Sequence, residues 1–276
     1  MPLSDSSMTG LFRELVDLAL ADELESLDSA GLAAAVSELD AAELPHRLGE
    51  LTASWVERAL TDVPDEHRPT AALALSARIM AAVNAVVDGE SVTAADELAE
   101  PIRELTAIEK VDPAGNVIPI RRPLTPIGDS VLLTNARGEP ALMSEIEAEI
   151  DSADRIDLVL AFIRVSGIRK LIEPLRKHVA AGKQLRILTT TYTGSTEPRA
   201  LDKLRDLGAE IKVSYDTTST RLHAKAWMFF RQSGQSTVYI GSSNLTHSAQ
   251  VAGMEWNVRA SEAHNPDIVR SFESTF

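Results

Sequence analysis

The 276 residues carry a formal net charge of −14 and no cysteine, so the chain has room for one large or two modest domains but can form neither disulfides nor thiolate metal centres. The lack of cysteine fits a reducing cytoplasm. The N-terminus, MPLSDSSMTG, does not read as a secretory signal, and charges interrupt the apolar runs short of the roughly 18 residues a membrane span needs, so no membrane partner is expected.

Residues 1–110 hold 22 Asp+Glu against 7 Lys+Arg, a balance of −15, whereas residues 111–276 hold 19 against 20, a balance of +1. A nucleic-acid partner needs cations for its phosphates. The charge therefore disfavours such a partner for the front third and leaves the remainder room for a local basic face. Within that front third, Leu11, Leu15 and Leu18, then Leu32, Val36 and Leu39, then Leu44, Leu48, Leu51 and Trp55 recur at helical spacing. Pro69 opens a further helix with Leu73, Ile79, Val83 and Val86, which Gly89 can end. Residues 1–110 are thus expected to form a small, all-α, acidic helical bundle.

Residues 111–127, VDPAGNVIPIRRPLTPI, contain four prolines and a glycine, a composition that opposes both helix and central strand and predicts a linker. From residue 128 to 276 helix and strand patterns alternate. Leu142, Ile146 and Ile150 mark a helix, 156–162 a buried strand, and Ile168, Leu171, Leu175 and Val179 a helix ended by Gly182. A strand at 185–190, a helix begun at Glu197-Pro198 and a strand at 211–215 follow. This order predicts an α/β fold with a mostly parallel sheet. The loop after the 185–190 strand lies where open α/β sheets bind ligands, so Thr191 is expected to contact substrate.

The most informative stretch runs from Arg221 to Arg259, with strands expected at 222–230, 237–240 and 254–259. Alternation puts His223 and Lys225 on one face of the first strand and Leu222, Ala224, Ala226 and Met228 on the other, toward a core. The turn Gly241-Ser242-Ser243-Asn244 follows the second strand, and Glu255 shares a face with Asn257 and Arg259 on the third. An imidazole, an ammonium, an amide with small hydroxyls and a carboxylate make a kit suited to phosphoryl transfer.

The order His223-x-Lys225, Gly241-Ser242-x-Asn244, Glu255 resembles the catalytic core of the phospholipase D superfamily. The resemblance implies an α/β/α sandwich and a metal-independent phosphodiesterase or nuclease that needs no cofactor. His223 would be the nucleophile, Lys225 and Asn244 would hold the phosphoryl oxygens, and Glu255 would orient the imidazole. Gly241, Ser242, Ser243, Thr191 and Arg259 would bind substrate, with DNA as the expected target. The family's fuller motif has an Asp five residues after the Lys; in this chain Phe230 occupies that position. From about Arg122 to Arg259 the chain looks like the domain that precedes a superfamily II helicase motor in some bacterial restriction or defence proteins, which implies a helicase partner in the same or another chain. One His-x-Lys per chain implies a homodimer that shares one active site.

Four other readings compete. Asp157 with Glu210 and Lys212 imitates a magnesium-binding nuclease pattern. A serine hydrolase would need a Gly-x-Ser-x-Gly elbow, which Ser242 and Ser243 lack, and His178, His223, His247 and His264 have no zinc spacing. The chain could also be a module that binds nucleic acid or a partner without cutting.

Overall fold

The computed structural model describes residues 15–26, 34, 36–86, 93, 96, 98–103, 105–134, 136, 141–216, 222–243, 245 and 255–276. The chain divides into two compact units, Met1–Thr106 and Ala107–Phe276. The first holds α1 (Leu18–Ser26), α2 (Leu44–Thr61) and α3 (Arg68–Val86). Pro45 sits in the first turn of α2, where its missing N–H costs nothing. The connection to α3 is tied by Arg68, whose Nε donates to Leu60 O at 3.0 Å and whose Nη2 donates to Val63 O at 3.0 Å.

A helical front region is therefore present, but α2 and α3 contain no buried residue, and Leu44, Leu48 and Trp55 are each about half exposed. Residues 36–40 are not helical, so Val36 and Leu39 do not extend the pattern; Leu11, Leu32 and Gly89 lie outside the described residues. By length and composition α3 is apolar enough to cross a membrane, because its 19 residues hold only Arg68 and Arg78 as charges. Arg78, near its middle, would cost about 2.5–3.5 kcal/mol at a bilayer centre.

In the second unit a seven-stranded sheet has the order β3-β9-β8-β7-β4-β5-β6. The strands are β3 (Val131–Leu133), β4 (Arg155–Leu160), β5 (Gln184–Thr190), β6 (Glu210–Ser214), β7 (Lys225–Phe230), β8 (Thr237–Gly241) and β9 (Asn257–Ser261). Pairing is parallel only for β4–β5 and β5–β6, and antiparallel for the other four neighbours. The sheet is mostly parallel in strand direction, since β3, β8, β4, β5 and β6 run one way and β7 and β9 the other. The mixture arises where motif strands are joined by short turns, because only antiparallel neighbours permit such turns.

Helices α4 (Leu142–Ser152), α5 (Val165–Ile168), α6 (Ile172–Ala180) and α7 (Pro198–Asp206) share a core with one sheet face through Ile146, Ile150, Ile168, Leu175 and Leu204. Helix α8 (Pro266–Thr275) packs Val269 against Met228 and Val238 on the other face. This is the α/β/α sandwich. The single helix expected across 168–179 is broken into α5 and α6. Pro174 explains the break: it is accepted in the first turn of α6, but inside one long helix its ring would clash with the carbonyl four residues back. Gly182 ends α6 with φ +80°, a left-handed conformation that glycine adopts freely.

The proline-rich segment belongs to the second unit and is more than a tether. It contains a hairpin, β1 (Lys110–Val111) with β2 (Val117–Ile118), and it is fastened to α4. Glu145, fully buried, accepts the Leu124 N–H at 2.9 Å and the Thr125 N–H at 3.2 Å. Arg121 donates to Glu147 at 2.8 Å, and its N–H donates to Asp151 at 2.9 Å.

One turn along α4, Glu149 is also fully buried. Its Oε1 accepts from Tyr239 OH at 2.9 Å and Arg259 Nε at 3.0 Å, and its Oε2 accepts from Thr237 Oγ1 at 2.8 Å and from Arg231. Burial pushes the carboxyl pKa up, but the charges of Arg231 and Arg259 outweigh it, and the net shift is downward. Burial and the same carboxylate push the Tyr239 hydroxyl well above the ordinary tyrosine value, so it remains a donor. Because its folded-state pKa is depressed, Glu149 contributes stability that is complete above the ordinary glutamate range and is lost as pH falls through the lower folded value. Glu149→Gln leaves two buried guanidiniums uncompensated and should cost about 3–5 kcal/mol in a urea titration at neutral pH. It should also flatten the acid limb of stability; a variant as stable as wild type would contradict this account.

Candidate active site

His223 and Lys225 stand where β7 begins, beside the carboxyl end of β4: Leu160 is opposite Lys225, and Ala161 N donates to Ala224 O at 3.0 Å. His223 is exposed just ahead of the strand, and Lys225 is half-buried as its first residue. Lys225 Nζ lies 3.1 Å from His223 Nδ1 and 3.3 Å from Nε2, and donates to His223 O at 3.0 Å. Phe162 meets the imidazole in a T-shaped contact, ring centroids 5.8 Å apart and planes at 73°, and forms one wall. Burial pushes the Lys225 ammonium below the ordinary lysine value, and the charge of Glu255 pulls it partly back.

The turn after β8 is built against β9. Ser242 N donates to Trp256 O at 3.0 Å, Trp256 N donates to Ser242 Oγ at 3.1 Å, and Asn257 Nδ2 donates to Ser243 Oγ at 2.8 Å. The Ser242 hydroxyl in turn donates to Glu255 Oε2. Gly241 is required by this approach and not by a left-handed conformation. A Cβ there would lie 2.3 Å from Trp256 O, 2.4 Å from Asn257 Oδ1 and 2.7 Å from Asn257 Cα.

His223, Lys225, Gly241, Ser242, Ser243 and Glu255 thus gather at one end of the sheet, while Asn244 lies outside the described residues. Glu255 differs from expectation in its partner. Its carboxylate accepts the Ser242 hydroxyl and acts electrostatically on Lys225; a hydrogen bond from the His223 imidazole is not among those that the described residues make.

Arg259 is a correction. It is fully buried, paired with Glu149, and donates to the carbonyls of Pro126 and Asp129, so it belongs to the core and not to a substrate surface. Thr191 is exposed at the carboxyl end of β5, and its N–H donates to Ser214 O at 3.2 Å. It shares the sheet end with His223 but stands two strands away, about 10 Å at ordinary strand spacing.

The alternation expected for β7 holds for Met228, which is buried under α8, but Leu222 and Ala224 line an open apolar groove with Phe272 and Phe276. Phe230, which stands in place of the family Asp, lies at the far end of β7 with the Arg155 guanidinium 4.4 Å above its ring.

The rival magnesium pattern is taken up by structure. Asp157, buried near the start of β4, accepts from Arg186 Nε and Nη2, each at 2.6 Å, and from Arg155 at 3.0 Å. His178 is buried with its ring nitrogens on the carbonyls of Ile150 and Gln184, and His264 Nδ1 lies against Gly128 O, while His247 is outside the described residues. Among the described residues no group of three or more acidic or histidine side chains could hold a metal ion. The sequence pattern did not single out Phe162 as the wall beside His223; its place at the carboxyl end of the expected 156–162 strand was the available signal.

Gly241→Ala follows directly from the turn geometry. The new methyl must displace backbone, so the variant should lose about 1–3 kcal/mol, read from the urea midpoint, and the Ser242–Trp256 pairing should loosen. An unchanged midpoint would contradict the close approach.

Residues 146–276 match the family model described as "Cardiolipin synthase, PLD-like domain". No curated protein matches the sequence. Among solved structures the chain is similar to NucT from Helicobacter pylori, at 11% identity over 53% of this chain and 94% of that one, with a TM-score of 0.42. It is also similar to Nuc, a phospholipase D family member from Salmonella typhimurium, at 19% identity over 53% and 90% of the two chains, with a TM-score of 0.40. A yeast tyrosyl-DNA phosphodiesterase gives 15% identity over 48% and 31%, with a TM-score of 0.35. The matched region spans α4 to α8 and contains His223, Lys225, the Gly241–Ser243 turn and Glu255, and residues 146–276 therefore form a PLD-like domain.

Proposed function

We propose that the protein is a metal-independent phosphodiesterase that cleaves DNA through a covalent phosphohistidine at His223. The observation that carries this reading is the placement of Lys225 Nζ within 3.1 Å of the His223 ring, beside the turn that is hydrogen-bonded to Glu255. The imidazole nitrogen forms a bond to phosphorus as the P–O bond to the leaving group breaks, and the departing oxygen takes a proton from a general acid. Water then attacks the phosphohistidine and releases His223 with the second product. Lys225, with Asn244, stabilises the charge on the non-bridging oxygens. Glu255 keeps Lys225 protonated and holds Ser242.

The general acid must approach from the side opposite the nucleophile, and the chain has one His-x-Lys. A twofold dimer that brings His223 of each copy to a single cleft supplies it. In this reading the protein is the nuclease module of a cytoplasmic restriction or defence system with a helicase motor as partner. The second reading, a module that binds nucleic acid without cutting, is separated from it by turnover.

Diester cleavage should persist in EDTA, and His223→Ala should lower it by at least ~10³-fold; abolition by EDTA with recovery in magnesium would sink the scheme. Since Lys225 must be protonated and burial lowers its pKa, activity should fall on the alkaline side before the ordinary lysine range is reached. Glu255→Gln removes the charge that raises that pKa, so the alkaline limb should move to lower pH, in addition to a loss of roughly 10²-fold in rate. An alkaline limb that stays in place would show that Glu255 does not hold the Lys225 proton. In tagged heterodimers with one His223→Ala subunit, nearly all turnover should vanish; retention of half would show that each chain works alone.

A further inference from the structure

We infer that Arg164 anchors the phosphate next to the scissile one, so that the site takes a chain of phosphodiesters and not an isolated diester. This rests on the phosphodiesterase reading and specifies the substrate class. Arg164 follows the carboxyl end of β4 and lies two residues past Phe162, the residue whose ring meets His223. In an extended chain that is no more than about 7 Å, and Arg164 is extended, with φ −119° and ψ 151°.

Its backbone is fixed on three sides. Arg164 N donates to Leu245 O at 3.0 Å, beside the bridge between Ile163 and Leu245 just past the Gly241–Ser243 turn. The carbonyl of Arg164 accepts the N–H groups of Gly167 and Ile168. Glu197 accepts the N–H of Val165 at 2.9 Å, and Glu197 N donates to Ile163 O at 2.9 Å. The cation is therefore set on a rigid support between the imidazole and the start of α7.

The guanidinium itself is left free. Arg155, Arg186, Arg231 and Arg259 are each paired with a carboxylate, whereas Arg164 is exposed and makes no side-chain hydrogen bond or ion pair with the described residues. The adjacent carboxylate, Glu197, is engaged with backbone. A planar fork of donors beside a phosphoryl-transfer site suits bidentate binding of a phosphate. Phosphates position a nucleic acid without reading its sequence, so the contact fixes register over His223 for any base.

The test uses the full chain with His223→Ala as background, so that binding is read without cleavage, and a fluorescent single-stranded oligonucleotide as probe. Adding Arg164→Gln should weaken binding by about tenfold or more and reduce the slope of log K against log salt by about 0.7, one phosphate contact. Arg205→Gln, which makes the same change of charge on an exposed arginine paired with Asp202 at the far end of α7, should do neither. Separately, Arg164→Gln with the remaining site intact should lower kcat/KM on the oligonucleotide and leave cleavage of a small chromogenic diester unchanged. Unchanged binding, an equal loss in the Arg205 variant, or an equal loss on both substrates would overturn the inference. Wild-type protein that cleaves neither substrate, while Arg164→Gln still weakens binding, would overturn the phosphodiesterase reading and leave the anchor standing.

Discussion

The second unit depends on one buried carboxylate. Glu149 touches β8 through Thr237 and Tyr239, β9 through Arg259 and the end of β7 through Arg231, all from a single position on α4. These are the strands that carry the site at their opposite ends. Arg259 extends the tie to the carbonyls of Pro126 and Asp129, so the proline-rich segment, helix and motif strands are set by one network. A half-satisfied network of this kind is worse than none, which makes its completeness a constraint on the whole fold. Four hydrogen bonds from two cations and two hydroxyls are what make a charge in the core tolerable.

The sheet's mixed direction then gathers the chemistry. Strands β4, β5, β6 and β8 deliver their carboxyl ends to one edge, and β7, running the other way, begins there. Phe162, Arg164, Thr191 and Ser242 therefore follow strand ends at the place where His223 and Lys225 start a strand. Gly241 permits β8 to run so close to β9 that the turn is held by hydrogen bonds on both sides. The result is a set of polar groups oriented by backbone before any ligand arrives, an arrangement suited to stabilising developing charge without reorganisation.

Much of this was legible in the residues. The alternation from 128 onward located β4, β5, β6 and α7 within a residue or two, because apolar period and glycine or proline punctuation agree there. The His223–Lys225 pair and the Gly241 turn were legible as a motif, and they do come together. What the pattern hid was the burial of charge. Glu145 and Glu149 interleave with Ile146 and Ile150 on α4, and a reading that sends every carboxylate to solvent misses them. Arg259 was misplaced for the same reason: strand alternation gives its face but not the partner waiting beneath it. In the front third α2 and α3 formed where periodicity put them while 36–40 did not, and the apolar stripes of α2 and α3 do not close a core, since amphipathicity specifies a buried face without specifying what buries it.

The central claim is a covalent bond between His223 and phosphorus. The direct measurement is mass spectrometry of protein mixed with a single-stranded oligonucleotide in EDTA and quenched in alkaline denaturant, conditions under which phosphohistidine survives. A covalent bond at His223 predicts a peptide containing that residue that carries the mass of the nucleotide fragment, formed at a rate no slower than turnover and lost in acid. Product release with His223 unmodified, or an adduct on a different residue, would contradict it.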